Sequence, residues 1–297
     1  MRAVFLSLLL VNCVPKTGNP AWLVTEERII GVRADPAEAA PGDLVQYTSL
    51  VVSPSGTEET PDLWWSLCNL RKPVAENTPV AQACLTGDRA QAAQGGSVAI
   101  QTPSTACVNF GPLAPPSSKG TLRPTDPDAT GGYYQPIRLD LGTEQAIVRE
   151  RLHCDLAGAS LLLSQEFRAR YTANQNPTLL SLSALVGDTP VSLDAIPADQ
   201  PIRLLATWSA DSAESYPVFF PASQTIVDRR EALWVSWFVT AGAVDDSITG
   251  RGEDDPEVAT ENAWRSPAGA GTVFLWLVLH DSRGGADFAA YTLTVAP

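Results

Sequence analysis

The chain has 297 residues, enough for two domains of ordinary size, and 44% of them are hydrophobic, so it can bury a sizeable core and is no disordered tail. Asp and Glu outnumber Lys and Arg by 33 to 20. The net charge of −13 repels nucleic acid and anionic lipid head groups, which excludes both as electrostatic partners.

The N-terminus starts Met-Arg, continues through a mostly apolar run from Ala3 to Val11, and reaches Asn12 and Cys13. A basic start, a short apolar stretch and a cleavage point form an export signal. The run is far shorter than the ~18–20 apolar residues of a membrane-spanning helix. Leu10-Val11-Asn12-Cys13 resembles a bacterial lipobox, a motif that usually carries Gly, Ala or Ser where this chain has Asn12. The resemblance to bacterial lipoproteins implies a signal peptide over residues 1–12, a mature chain beginning at Cys13, and acyl chains on Cys13 that anchor it to a membrane. Val14 after the Cys, rather than Asp, resembles outer-membrane sorting, so the expected location is the cell envelope at the outer membrane. Residues 13–22, with two Pro and one Gly, read as the lipidated Cys and a tether.

Residues 28–54 contain two β-rich runs around Pro36, Pro41 and Gly42, which break any helix there. In the second run Val45, Tyr47 and Ser49 alternate with Gln46, Thr48 and Leu50, an imperfect half-buried pattern. In the next run Leu63, Trp65 and Leu67 share one strand face, with Trp64 and Cys68 on the other. This run–turn–run order, with a Trp on the third strand, resembles the opening of bacterial immunoglobulin-like domains. The antibody-type Cys on the second strand is absent, so that family's inter-sheet disulfide is not carried over.

Residues 69–132 read as a long, loop-rich insertion. The segment 133–141 reads as a strand. Residues 146–170 fit either one long helix or a strand followed by a helix over 159–171, and Gly158 favours the second. Residues 172–177 read as a linker ending in Pro177. Beyond it, 179–186, 201–209, 232–239, 272–281 and 288–295 read as strands, and Asp281 to Gly285 as a hairpin loop. The expected fold is mainly β: two immunoglobulin-like β-sandwich domains, at 23–171 and 178–297. The first holds a long disulfide-stapled loop and a short helix near its end.

Apart from Cys13, the cysteines are Cys68, Cys84, Cys107 and Cys154. An even set in an exported chain points to two disulfides, for which three pairings exist. Cys68–Cys84 closes a short loop and is favoured, leaving Cys107–Cys154. None sits in a CxxC, so neither zinc nor thioredoxin-type chemistry is supported.

Chemistry-bearing candidates are sparse. His280-Asp281-Ser282 has the residue types of a hydrolase triad, but strand neighbours point to opposite faces and cannot form one. His153 abuts Cys154 and Asp155, a metal pattern that a disulfide would cancel. Asp126, Asp128 and Thr130, followed by Gly131 and Gly132, resemble the start of a calcium loop. The twelfth position is Ile137 rather than Glu, so the bidentate ligand would come from elsewhere, and a hydrogen-bonded turn is the competing reading. The same letters fit a DxDxT phosphatase pattern, which lacks the buried strand it needs. Residues 245–261, with seven acids against Arg251, read as a solvated loop. Trp64, Trp65, Trp234, Trp237 and Trp276 lie in apolar runs and read as core, although Trp64 and Trp65 cannot both point inward.

These readings favour a non-catalytic envelope lipoprotein that presents its sandwiches to another envelope protein or a surface ligand, without nucleic acid. The alternative is a carbohydrate-binding or adhesive surface module, with calcium in the 126–132 loop. An enzyme would need acids such as Asp126, Asp128 and Glu150 to converge in a cleft.

Overall fold

The computed structural model describes residues 19–73, 75–78, 80–86, 93–112, 129–142 and 144–297. The first domain comprises β1 (Arg28–Asp35), β2 (Glu38–Ala39), β3 (Leu44–Ser53), β4 (Gly56–Thr57) and β5 (Leu63–Leu67). It continues through α1 (Gln82–Thr86), β6 (Ala93–Gln94), β7 (Ser97–Gln101), α2 (Ala106–Phe110), β8 (Gly132–Leu141), β9 (Glu144–His153) and α3 (Leu161–Arg170). One sheet pairs β1, β3 and β7, with β4 on β3; the facing sheet runs β2-β9-β8-β5-β6. Between them Val45, Tyr47, Val51, Val98 and Ile100 meet Leu63, Trp65, Leu67, Ile137 and Leu139.

The second domain comprises β10 (Leu179–Val186), β11 (Thr189–Val191), β12 (Ile196–Pro197), β13 (Pro201–Trp208), β14 (Ser215–Phe220) and β15 (Thr225–Arg230). Then follow β16 (Leu233–Val239), β17 (Ala243–Val244), β18 (Ile248–Arg251), β19 (Ala259–Arg265), β20 (Gly271–Asp281) and β21 (Ala286–Ala296). Its sheets run β11-β10-β13-β19-β17 and β12-β21-β20-β16-β18. The two domains thus repeat one strand order. In each, a two-residue strand crosses to the second sheet and pairs in parallel with the last strand, β2 with β9 and β12 with β21. This is the immunoglobulin-like sandwich expected. The equivalent strands β5 and β16 even read alike, Leu-Trp-Trp-Ser-Leu and Leu-Trp-Val-Ser-Trp.

The domains lie side by side. The irregularity between Ile29 and Gly31 shifts the pairing of β1 on β3 and turns Ile30 outward. Ile30, Leu50 and Val52 pack on Trp276, Val278 and Phe288 of the second domain. This explains the imperfect alternation of β3: Val45, Tyr47 and Val51 enter the first core while Leu50 and Val52 enter the interface. Fully burying such side chains stabilises by roughly 1.5–3 kcal/mol each. At Gly31 a Cβ would sit 3.3 Å from the Val278 methyls, so the absent side chain lets the sheets approach.

The structure corrects four expectations. Residues 69–132 are not all loop: Ser97–Gln101 forms β7, whose Val98 and Ile100 complete the core. The run is only five residues long, and the apolar Ala99 on its outward face hid its alternation. The 245–261 segment contains β18 and the start of β19, and Arg251 pairs with Asp255 and Glu257. Residue 22 does not belong to a free tether, because Trp22 packs against the second core while Leu23 bridges Val239. Of the five Trp read as core, Trp65, Trp237 and Trp276 are buried, but Trp64 and Trp234 face outward and are half-buried.

The strands also define two ends. Arg28, at the start of β1, reaches back to the Ala21 carbonyl, and Glu144, at the start of β9, accepts from the Ile29 amide. The turn at Gly56 lies over Phe274 near the start of β20. This is the N-terminal end of the particle. His153, Asp281 and residues 172–177 lie at the opposite, junction end.

Candidate functional site

The junction end gathers most of the buried ionisable side chains among the described residues, Asp140 at the other end excepted. In the first domain Glu38 and Arg151 are fully buried partners, Nε to Oε2 at 3.0 Å. The same Oε2 accepts from the Asn174 amide at 2.9 Å, while Oε1 accepts from the Tyr171 hydroxyl and faces His153 Nδ1 at 3.5 Å. Burial alone would raise the Glu38 pKa, but His153, Arg151, Tyr171 and the Asn174 amide hold it down at about 2. Arg151 donates further to Tyr134 Oη at 3.2 Å and to the carbonyl and hydroxyl oxygens of Thr130, both at 3.1 Å. Space for the guanidinium comes from Gly132, where a Cβ would lie 2.0 Å from Arg151 Cζ.

The second domain answers with Arg283. Its Nε donates to Glu231 Oε1 at 2.7 Å, Nη2 to Glu214, and Nη1 to the Thr172 carbonyl at 3.0 Å. The guanidinium lies over Tyr216, 4.7 Å from the ring centroid. Asp281 Oδ1 accepts from the amides of Arg283, Gly284 and Gly285 and so shapes the hairpin turn. Burial first, then Asp281, pushes the Glu231 carboxyl up to about 7 despite Arg283, and burial raises Glu214 too.

Residues 172–177, expected as a linker, run between these clusters and are fastened to both. Asn174 bridges Glu38 and Asp281, and Asn176 links the Ala34 carbonyl to the Ala286 amide. The β14–β15 hairpin adds a brace: the Phe219 amide donates to the Ala129 carbonyl at 2.7 Å, and Asp228 pairs with Arg170 of α3.

Beside this junction lies an open pocket of about 570 Å³, lined by His153, Asp155, Arg168, Gly158 and the Cys107–Cys154 disulfide among others. Asp155, at φ 70°, holds Arg168 through two bonds of 2.8 and 3.0 Å. That ion pair lowers the Asp155 pKa. His153 turns Nδ1 to Glu38, and its side chain is 37% exposed. A histidine oriented by a buried carboxylate can donate or accept one hydrogen bond or proton. Among the described lining residues no serine or free thiol stands beside it to be activated.

The expected site residues fare as follows. Cys68–Cys84 and Cys107–Cys154 are bonded, the pairing that was favoured. Cys13, Asp126 and Asp128 lie outside the described residues. Thr130 gives both oxygens to Arg151, and Gly131 and Gly132 make room for Phe167 and Arg151. His280 stacks on Trp234 rather than joining a triad. Glu150 enters no cleft: it is buried beside Tyr47, and burial first, then Glu38, raises its pKa well above the usual range although the Tyr47 hydrogen bond lowers it. Among the described residues no three His, Cys, Asp or Glu side chains gather as a metal site. Sequence reasoning missed Glu38, Arg151, Glu231 and Arg283. The one local signal was Arg283 directly before Gly284 and Gly285; Arg151 meets Gly132 only in the fold.

No protein-family model matches the chain, and no curated protein matches it in sequence. Among solved structures, the Yersinia pseudotuberculosis adhesin InvE aligns over 91% of this chain and 59% of its own, at 11% identity and TM-score 0.24. The chain therefore spans under two thirds of that protein. A chimeric titin Z1Z2 tandem aligns over 91% of this chain and 100% of its own, at 11% identity and the same TM-score of 0.24. Domains 4 and 5 of the S-layer protein SbsC give 8% identity and TM-score 0.20. At such scores the immunoglobulin-like class rests on the strand orders above.

Proposed function

We propose that the chain is a non-catalytic binding module of the bacterial cell envelope, held to the outer membrane by lipid on Cys13. The observation that carries this reading is the use of the buried charges. Glu38, Arg151, Glu231 and Arg283 serve to weld two sandwiches into one body rather than to activate a reacting atom. Independent domain motion is the default for tandem domains, and an apolar, ion-paired interface removes it. The two disulfides fit an oxidising compartment outside the cytoplasm. Among the described residues no helix is long and apolar enough to cross a membrane.

The contact surface in this reading is the junction end, where the pocket opens. Exposed apolar side chains accompany it: Leu44 begins β3, Leu161 and Leu162 begin α3, and Leu180 is second in β10. The test uses a soluble Cys13→Ser form added to envelopes from cells lacking the protein. Saturable binding is expected, weakened by Leu161→Asp with Leu162→Asp and unchanged by Ser55→Asp at the N-terminal end. Binding lost equally by both variants, or no binding to envelopes, would overturn the proposal.

A further inference from the structure

We infer that the particle stands on the bilayer with its N-terminal end toward the lipid and its pocket directed away. The inference rests on Cys13 carrying the lipid. Its geometry comes from where the described chain takes hold. Trp22 packs into the second core, and the Val24 amide and Trp22 carbonyl bond Val239 at 2.9 Å each. From Ala21 onward the chain is therefore fixed to the protein. Only residues 14–20 separate that point from Cys13, and a fully extended chain of that length reaches at most about 30 Å.

The fixed point sits where β16 ends and β20 begins, since Val239 pairs with Leu275. The start of β1, the turn at Ser55 and Gly56, and the start of β9 lie at the same end. His153 stands nine residues along β9 from Glu144, about 30 Å at the rise of an antiparallel strand. The tether thus leaves from the end opposite the pocket. It also leaves at the seam between the domains, so neither sandwich is lifted above the other. Glu26, Glu27 and Glu144 share that end with Arg28, so the facing surface is acidic and does not adhere to anionic head groups. The lipid and the short tether, rather than charge, bring this end to the bilayer.

The test is energy transfer from a donor on the protein to an acceptor lipid in phosphatidylcholine vesicles. The full lipidated chain carries a genetically encoded donor at Ser55 or at Leu162. Transfer from Ser55 is expected to exceed that from Leu162 several-fold. A second preparation separates the orientation from the lipidation: Cys13→Ser with residues 1–12 replaced by a histidine tag, held on nickel-chelating lipid. The same ranking is expected there. Equal or reversed transfer on the tagged chain overturns the orientation. Failure of the lipidated chain to float with vesicles overturns the Cys13 reading instead.

Discussion

The two sandwiches share a strand order and hold it by different means. The second domain has no cysteine and relies on a core that includes Trp208, Trp237 and Trp264. The indoles of Trp237 and Trp264 are satisfied by Thr249 Oγ1 and the Ala241 carbonyl. The first domain has one buried Trp, Trp65, and carries Glu150 inside. It spends the stretch between β5 and β8 on short elements, with both disulfides attached to that stretch. A smaller core gains from cross-links what it lacks in apolar burial. One fold is thus stabilised by packing in one copy and by staples in the other, and the buried charges tie the weaker copy to the stronger.

The largest effect is expected from breaking that tie. Arg151→Met leaves Glu38 buried without its cation, a change that costs about 3–5 kcal/mol. Gly132→Ala should approach the same loss, because its methyl would occupy the guanidinium's space. Adding Glu38→Gln to Arg151→Met should recover part of the loss. Denaturant unfolding measures all three, and a loss below about 1 kcal/mol for Arg151→Met would reduce the pair to the weight of a surface ion pair.

Removing the staples comes next. Cys107 and Cys154 are 47 residues apart and Cys68 and Cys84 are 16 apart. Chain entropy assigns the two cross-links about 4 and about 3 kcal/mol respectively. Paired alanine substitution should destabilise in that order. Hydrogen exchange should rise in residues 93–112 before it rises in β16 and β20. Equal loosening of both domains would mean that the second copy has no independent strength.

The pH profile sharpens the contrast, because the two junction clusters titrate in opposite directions. Glu38 is held at about 2 against an ordinary 4.5, so its contribution is present above pH 4.5 and is lost as pH falls toward 2. Glu231 is raised to about 7, so its contribution is complete below pH 4.5 and is lost as pH rises to 7. At 1.36 kcal/mol per unit each shift corresponds to about 3 kcal/mol. Stability should therefore peak in weak acid. Glu38→Gln should flatten the acid limb, and Glu231→Gln the neutral one. Glu150 acts on the same limb as Glu231. The readout is the slope with pH, and an unchanged slope in either variant counts against that cluster.

Much of the architecture was legible in the sequence, and the reasons are local. Strands such as β13 and β16 alternate cleanly because one face meets a core and the other meets solvent or half-buried contacts. The junction was not legible. Glu38, Arg151, Glu231 and Arg283 are charged letters that normally mark a surface, and their burial depends on partners 52 to 113 residues away. The segment Thr172 to Asn176 has the composition of a linker because its side chains bond backbone and carboxylates instead of entering an apolar core. No strand was read over β14 and β15, where the exposed Asp228 and Arg229 pair across to other elements.

The smallest expected effect concerns calcium at the entrance to β8. Thr130 would supply an oxygen to the ion, yet its carbonyl and hydroxyl oxygens already accept from Arg151 Nη2. A guanidinium in that place repels a divalent cation. Gly131 has φ +71°, and a Cβ there would fall 2.7 Å from Phe167 Cε1, so the glycine serves helix packing rather than an ion-binding bend. A ligand at a hundredfold excess over its dissociation constant stabilises by about 2.7 kcal/mol, which raises the melting temperature by several degrees in a protein of this size. Millimolar calcium is expected to give no such rise, and Asp128→Asn should change nothing in its presence. A rise that Asp128→Asn abolishes would show that Arg151 yields Thr130 to the ion. It would also move the chain toward the adhesive, calcium-dependent reading, and make the loop before β8 a second feature of the first domain without counterpart in the second.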